Sequence, residues 1–167
     1  MEQHFTTLQN LNGEAWGEDN FRGKVTVLSF TDQKSQDLSA KAGSALGKRF
    51  LESERFQLAT AVKVAAMFKG LAGALLKAGQ TKARDSAVKK YEKEGKAPPA
   101  GLVDRIHVLF DLDGKCSSAC LSEWKDGQAR LVLVGPEGEQ LGESCHEDPE
   151  AAVEALALRI ESALNPE

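Results

Sequence analysis

The three cysteines are the residues of this chain best suited to redox or metal chemistry. Cys116 and Cys120 are four residues apart and would share one face of a helix, and Cys145 is followed directly by His146. The thiol pair could form a disulfide, and the four side chains together could bind zinc. We expect Cys116 and Cys120 to lie on the other side of the sheet's centre from Cys145 and His146, too far away for the four side chains to share a metal ion. Three reduced thiols are the simplest expectation, because the number is small and odd.

The other candidate ligands are two histidines and two carboxylates. His4 and His107 have no acidic or cysteine neighbour at the spacing of a metal site. Asp111 and Asp113 belong to the segment FDLDG, whose glycine indicates a tight turn. Short acidic side chains at a turn commonly accept hydrogen bonds from backbone N–H groups. We therefore expect both carboxylates to cap the backbone, and we expect neither a metal nor a cofactor.

The segment from residue 65 to residue 102 is distinguished by its charge. Between residues 65 and 98, eight basic residues outnumber three acidic ones, a net charge of +5 that leaves −9 for the rest of a chain of net charge −4. Such a segment is typical of a helix that packs on its own domain, on a second subunit or on an acidic protein, and less typical of one that lies on an anionic membrane. Its apolar side chains are Met67, Phe68, Leu71, Leu75 and Leu76. The residues expected to contact a protein partner are Met67, Phe68, Leu71, Lys82, Arg84, Lys89 and Lys90.

Composition limits the classes of function. Hydrophobic residues make up 41% and charged residues 28%, which is typical of a folded chain, and 167 residues suit one domain. The net charge of −4 argues against general nucleic-acid binding. The opening residues lack the basic and apolar regions of an export signal, and no segment has the roughly 18 apolar residues of a membrane span. We therefore expect a cytoplasmic protein.

Hydrophobic patterns predict the elements that must position these residues. The first half reads as a strand at Val25–Phe30, a helix with Leu38, Ala42, Leu46 and Phe50 on one face, a strand at Phe56–Val64, and two inserted helices between Ala65 and Glu94, broken near Gly79. The second half reads as a strand in RIHVLFDLDG, a short helix in KCSSACLSEW, a hairpin turning at Pro136–Gly138, and a closing helix that begins at Asp148–Pro149. This order predicts an α/β fold, a mixed β-sheet with helices on both faces and a helical insertion.

Three stretches carry a resemblance to a known group of proteins. FTTLQNLNGEAWGEDNFRGKVTVLSF, VLFDLDGKC and RLVLVGPEGEQLGE resemble the opening turn and central strand, the acidic turn and the terminal hairpin of thioredoxin-like domains of the redoxin branch. That branch includes peroxiredoxins and thiol reductases. Within it, the chain most resembles bacterial YtfJ-type proteins, which lack the redox cysteine pair.

The resemblance locates the redox centre at three positions, none of which has the family's residue. The two redox cysteines would fall near Ser35 and Leu38, and the proline that precedes the hairpin would fall at about Ala129. A thiolate at a helix N-terminus is stabilised by the helix dipole, but a serine hydroxyl gains too little acidity there to attack a disulfide. We therefore expect Ser35 to be a cap or loop residue.

Together these features predict a non-catalytic thioredoxin-like domain that binds or assembles with a protein partner through its basic insertion. A homo-oligomer is one form that such assembly could take. The alternative is a thiol oxidoreductase or redox sensor that uses Cys116, Cys120 or Cys145.

Overall fold

The central strand of the fold, VTVLSFT, is buried over all seven residues. In the computed structural model, which describes residues 1 to 167, it belongs to a six-stranded mixed sheet. The strands are β1 (Leu8–Gln9), β2 (Val25–Thr31), β3 (Phe56–Val64), β4 (Ile106–Leu112), β5 (Ala129–Val134) and β6 (Gln140–His146). Their order across the sheet is β1-β4-β3-β2-β5-β6. Strands β2, β3 and β4 are mutually parallel, and the other pairings are antiparallel.

Helices cover both faces of this sheet. They are α1 (Glu18–Phe21), α2 (Gln36–Phe50), α3 (Lys69–Lys93), α4 (Lys115–Cys120) and α5 (Pro149–Leu164). Alternate residues of β2 point to opposite faces, so Val27 joins a core beneath α2 and α5 while Leu28 joins a second core. The second core contains α1, α4 and the N-terminal segment. The predicted mixed sheet with helices on both faces is confirmed.

The inserted segment forms one continuous helix, so the prediction of two helices broken near Gly79 was wrong. Helix α3 runs for 25 residues through Gly79, which costs a helix interior only about 1 kcal/mol relative to alanine. Side-chain anchors on β4 hold it in place: Gln80 Oε1 accepts from the Val108 N–H at 2.9 Å, and Arg84 Nε donates to the Ile106 carbonyl at 2.9 Å. The side chains of α3 thus provide hydrogen-bond partners for backbone groups of β4 that do not pair with another strand.

Most other predicted elements are confirmed within a few residues. Strand β3 has the predicted bounds, β2 is longer than predicted by Thr31, and α2 begins at Gln36. The Asp148 side chain caps α5 by accepting from the Glu150 N–H at 3.0 Å. Strand β1 was not predicted, because two residues are too short for an alternating pattern to be visible.

Candidate functional site

Ser35 lies where the resemblance places the first redox cysteine, between the end of β2 and the start of α2. It is 4% exposed. Its hydroxyl donates to Asp32 Oδ1 at 2.6 Å and accepts from Arg130 Nη2 at 2.7 Å. The hydroxyl is thus engaged on both sides by charged groups. We call Asp32, Ser35, Trp124 and Arg130 the Ser35 cluster.

Asp32 organises the loop that leads into α2. Ser35 stands at the N-cap position of α2, but its hydroxyl makes no capping hydrogen bond, so the structure agrees with the loop alternative of the prediction that Ser35 is a cap or loop residue. Asp32 Oδ1 accepts from the backbone N–H groups of Lys34 and Ser35, each at 3.0 Å. Partial burial would raise the pKa of Asp32, but the hydrogen bonds from Ser35 and Lys34 and the nearby Arg130 charge outweigh it and lower the pKa. Asp32 is therefore ionised at neutral pH.

Arg130 is the largest fully buried side chain of the protein. Its Nη1 donates to the Lys125 carbonyl at 2.6 Å, and its Cζ lies 3.6 Å from the centre of the Trp124 ring. Lys63 Nζ lies 5.0 Å from the centre of the same ring. Burial lowers the pKa of Arg130 and the neighbouring Asp32 raises it, yet an arginine remains protonated under these conditions. A buried cation therefore lies beside the hydroxyl that stands at the expected position of the first redox cysteine.

Arg130 was missed by sequence reasoning although a signal was present. It interrupts the apolar run ARLVLV of β5. Its strand-pairing partners are Phe30 in β2 and Cys145 in β6. A charged residue inside a strand that has neighbours on both sides must find partners within the fold. Ser35 and the Lys125 carbonyl are those partners.

The other two positions of the expected redox centre supply no nucleophile. Leu38 is half-buried and packs against the core beneath α2. Ala129 begins β5, is 2% exposed and pairs with His146. The three positions thus supply a hydroxyl and two aliphatic groups.

All three cysteines are free, and the pKa of two of them is raised. Cys116 and Cys120 lie on α4 inside the second core, as the helical spacing predicted. The hydrogen bond with Cys120, followed by burial, raises the pKa of Cys116. Burial and then the Glu143 carboxylate raise the pKa of Cys145, although Arg130 acts in the opposite direction. The thiols of Cys116 and Cys145 are therefore protonated at neutral pH and are weak nucleophiles.

The structure contains no group of three or more His, Cys, Asp and Glu side chains that could hold a metal ion. His146 is exposed at the end of β6, where its Nδ1 accepts from the Asp148 N–H at 2.9 Å. His4 Nε2 lies 3.5 Å from Glu2 Oε2. His107 packs 5.2 Å from the Trp16 ring, and burial, with Arg84 nearby, lowers its pKa to about 4.

Both carboxylates of FDLDG accept hydrogen bonds from the backbone, but only Asp111 does so within the turn, as predicted. Asp111 is fully buried, and its two oxygens accept from the N–H groups of Cys116 at 2.9 Å and Ser117 at 3.1 Å. Asp113 Oδ1 accepts from the Ala66 N–H at 2.9 Å. Asp111 thus fixes the start of the helix that holds two of the cysteines.

We expect Asp111→Ala to lower the free energy of unfolding by about 2 kcal/mol, because two buried N–H groups lose their acceptor. Asp111→Asn keeps the shape of the side chain but leaves only one oxygen to accept a hydrogen bond. Its loss of unfolding free energy should therefore be about half as large. Asp126→Ala, at an exposed loop position, is the control and should change stability by less than about 0.5 kcal/mol. Urea unfolding followed by circular dichroism measures all three. Equal stability of Asp111→Ala and wild type would contradict the capping role.

The residues predicted to contact a partner divide into exposed and anchored groups. Met67, Phe68, Leu71 and Leu75, here called the α3 patch, are 82%, 52%, 77% and 71% exposed. Lys82 and Lys89 are also exposed. Arg84, by contrast, is half-buried and bonded to β4, and burial followed by the nearby Lys48 lowers the pKa of Lys90. Leu76 is half-buried.

Four exposed residues, Leu71, Leu75, Lys82 and Lys89, lie on one side of α3. Residues 71, 75, 82 and 89 are separated by 4, 7 and 7 positions, each close to a whole number of 3.6-residue turns. The opposite side holds Gln80, Arg84 and Tyr91, which contact β4 or the core. The outward side is thus apolar near its start and basic toward its end.

No helix is long and apolar enough to cross a membrane. The two candidate sites differ in accessibility, because Ser35 and Arg130 are buried whereas Leu71 and Leu75 on α3 are exposed.

No protein-family model matches the chain, and no curated protein matches its sequence. Solved structures do match. A secreted Mycobacterium tuberculosis disulfide oxidoreductase homologous to E. coli DsbE is 17% identical, with a TM-score of 0.51 over 97% of this chain and 99% of that one. The exposed lipoprotein thioredoxin of Streptococcus pneumoniae is 13% identical, with a TM-score of 0.54 over 93% and 96%. BsSco, of the Sco family of cytochrome c oxidase assembly proteins, is 14% identical, with a TM-score of 0.53 over 96% and 91%.

At these identities the likeness concerns the fold. The matches cover 93% to 97% of this chain. The protein has a thioredoxin-like fold, as the resemblance in the sequence predicted.

Proposed function

We propose that this protein is a non-catalytic thioredoxin-like domain that binds a protein partner through the outward side of α3. The observation that carries the proposal is the exposure of four large apolar side chains within nine residues, Met67 and Phe68 in the turn before α3 and Leu71 and Leu75 in its first turns. Clustered exposed apolar side chains of this kind typically mark an interaction site. The finer resemblance to bacterial YtfJ-type proteins and a cytoplasmic location belong to the same proposal.

The Ser35 cluster supports the non-catalytic part. A redoxin needs an accessible thiolate at the start of α2, and this position holds a buried hydroxyl engaged by Asp32 and Arg130. The fully buried Arg130 and the half-buried Trp124 pack over it. The cluster stabilises the loop that a redox protein uses for chemistry.

The chemistry of α3 indicates the class of partner. An apolar patch followed by exposed Lys82 and Lys89 fits a protein surface with apolar side chains beside acidic ones. The rest of the chain carries a net charge of −9, so a second copy is the other occupant that the charges permit.

We expect the double substitution Leu71→Ser, Leu75→Ser to weaken partner binding at least tenfold, because it removes two apolar contacts. The charge reversal Lys82→Glu, Lys89→Glu should weaken it several-fold and reduce its salt dependence. The measurement is quantitative mass spectrometry of proteins captured from an extract of the source organism, followed by affinity measurement with the purified partner.

Two matched controls separate this surface from general effects. Leu158→Ser removes another leucine, 78% exposed on α5, and Lys34→Glu, Lys41→Glu reverses two exposed lysines near the Ser35 cluster. Both should bind like wild type. A partner captured equally by all variants would contradict the proposal, and light scattering of the purified protein tests for a homo-oligomer.

A second candidate is a thiol oxidoreductase or redox sensor. The observation in its favour is that Cys116 and Cys120 lie four residues apart on α4, within the same core. Two of the neighbours named above are described as a disulfide oxidoreductase and a thioredoxin. Oxidation of the pair would remove two electrons and two protons and join the two sulfur atoms, with a peroxide or a disulfide as the electron acceptor. The raised pKa of Cys116 and its burial oppose this reaction.

A further inference from the structure

The turn that joins β3 to α3 is held by a residue from a distant part of the chain. Asp113 lies directly after β4, and its N–H donates to the Val64 carbonyl at 2.9 Å. Its Oδ1 accepts from the Ala66 N–H at 2.9 Å. Because β3 and β4 are paired as far as Val64 and Leu112, these two hydrogen bonds continue the connection beyond the ends of the strands. Asp113 thus grips the chain on both sides of Ala65.

The backbone of Asp113 has a conformation that suits this role. Its φ of 55° is in the left-handed region, which no other non-glycine residue of the chain adopts. Aspartate tolerates that region better than most residues, and such conformations persist where surrounding contacts fix them. The side chain is exposed, so water alone could solvate its carboxylate. The carboxylate is nevertheless bonded to a backbone N–H that lies 47 residues earlier in the chain.

Lys69 anchors the other end of the same segment, at the first residue of α3. Its Nζ donates to Gln9 Oε1 in β1 at 2.6 Å and lies 5.7 Å from the centre of the Phe110 ring in β4. Lys69 is half-buried, and these contacts direct its ammonium group toward the sheet. Its charge therefore does not lie among the exposed apolar side chains of the α3 patch.

The two residues between these anchors, Met67 and Phe68, supply half of the α3 patch. They are 82% and 52% exposed, and neither belongs to one of the two cores. Their own packing therefore does little to fix the turn that carries them. A loose turn would have to be ordered when the partner binds, and the entropy lost in that step would reduce the affinity.

We propose that Asp113 and Lys69 are positioning residues of the partner-binding surface, an inference that rests on the proposed function. They hold the turn before the partner arrives, so that the first two side chains of the α3 patch are already beside the other two. The segment FDLDG then has two tasks, because Asp111 fixes the start of α4 while Asp113 fixes the interaction surface.

The test is a fluorescence titration of the full-length protein with bis-ANS, a dye whose aromatic rings and sulfonates suit an apolar patch beside lysines. Asp113→Gly keeps the left-handed backbone but removes the acceptor, and it should weaken dye binding about threefold or more. Asp113→Asn keeps an oxygen acceptor and should bind like wild type. Lys69→Met keeps the aliphatic chain but removes the donor, so it should weaken binding by a similar factor.

Amide hydrogen exchange followed by NMR shows whether the effect is local. The Phe68 N–H donates to the Ala65 carbonyl at 2.8 Å, within the turn but without contact to the substituted side chain. Asp113→Gly should accelerate exchange at Phe68 about tenfold or more and leave exchange in α2 unchanged. Asp148→Ala is the matched control, because it removes another exposed carboxylate that accepts from a backbone N–H, at 3.0 Å in α5. It should leave dye binding and Phe68 exchange unchanged.

The two proposals fail in different ways. If Leu71→Ser, Leu75→Ser binds the dye like wild type, the α3 patch is not the binding surface, and both proposals are wrong. If that variant weakens dye binding while Asp113→Gly and Lys69→Met bind like wild type, the patch binds but the positioning role is wrong. Weakened dye binding by Asp113→Asn to the same degree as Asp113→Gly would also contradict the role of the acceptor.

Discussion

Replacing Arg130 with alanine should lower the free energy of unfolding by about 3 to 5 kcal/mol. The substitution leaves a cavity beside Trp124 and removes the donors that pair with Ser35 and the Lys125 carbonyl. Asp32 also loses a nearby positive charge that lowers its pKa. Urea unfolding followed by circular dichroism gives the value without relying on Trp124 fluorescence, which the substitution itself changes.

Two further variants separate shape from charge at this position. Arg130→Met fills similar volume without a buried charge, so we expect a loss well below that of Arg130→Ala. Arg159→Ala is the matched control, because Arg159 also donates to a backbone carbonyl, that of Leu141 at 3.0 Å, but is exposed. Its loss should be below about 1 kcal/mol. If Arg130→Ala were no more destabilising than Arg159→Ala, the Ser35 cluster would not be an organising feature of the fold.

The second large effect concerns His107 and pH. Its pKa is lowered from 6.5 to about 4 in the folded state by burial and the nearby Arg84, while Asp104 acts in the opposite direction. The unfolded chain therefore binds more protons than the folded one between these values. The contribution of His107 to stability is complete above pH 6.5 and is lost as pH falls toward 4, by about 3 kcal/mol at most.

The measurement compares wild type with His107→Gln across this range. Many carboxylates also titrate below pH 5, so the difference between the two pH profiles carries the information. We expect wild type to lose more stability than His107→Gln between pH 6.5 and pH 4. Parallel profiles would show that His107 titrates normally in the folded protein.

Most strands and the start of α5 could be predicted, because the sequence patterns that indicate them are local. The apolar strands β2 and β3, the hairpin of β5 and β6, and the Asp148–Pro149 start of α5 all depend on neighbouring residues. The continuous α3 could not be predicted, because a glycine weakens a helix but tertiary anchors such as Gln80 and Arg84 decide whether it breaks.

The resemblance indicated where in the chain the candidate site lies, but not which side chains form it. The resemblance located Ser35, yet the partners of its hydroxyl are Asp32, three residues earlier, and Arg130, 95 residues later. Long-range pairings of this kind depend on strand register, which the sequence does not reveal.

The central proposal is that this thioredoxin-like domain is non-catalytic, and the intact mass of the native protein tests it most directly. The sample is treated with a mild oxidant and then alkylated, beside an untreated sample. A variant with Ser35→Cys and Leu38→Cys is the positive control, because it restores a cysteine pair at the start of α2 and should lose two protons. The account predicts three unoxidised thiols in both wild-type samples, with the buried Cys116 and Cys120 alkylated only after unfolding and the half-buried Cys145 alkylated slowly in the native protein. A wild-type mass lower by two protons, with two thiols protected from alkylation, would contradict it.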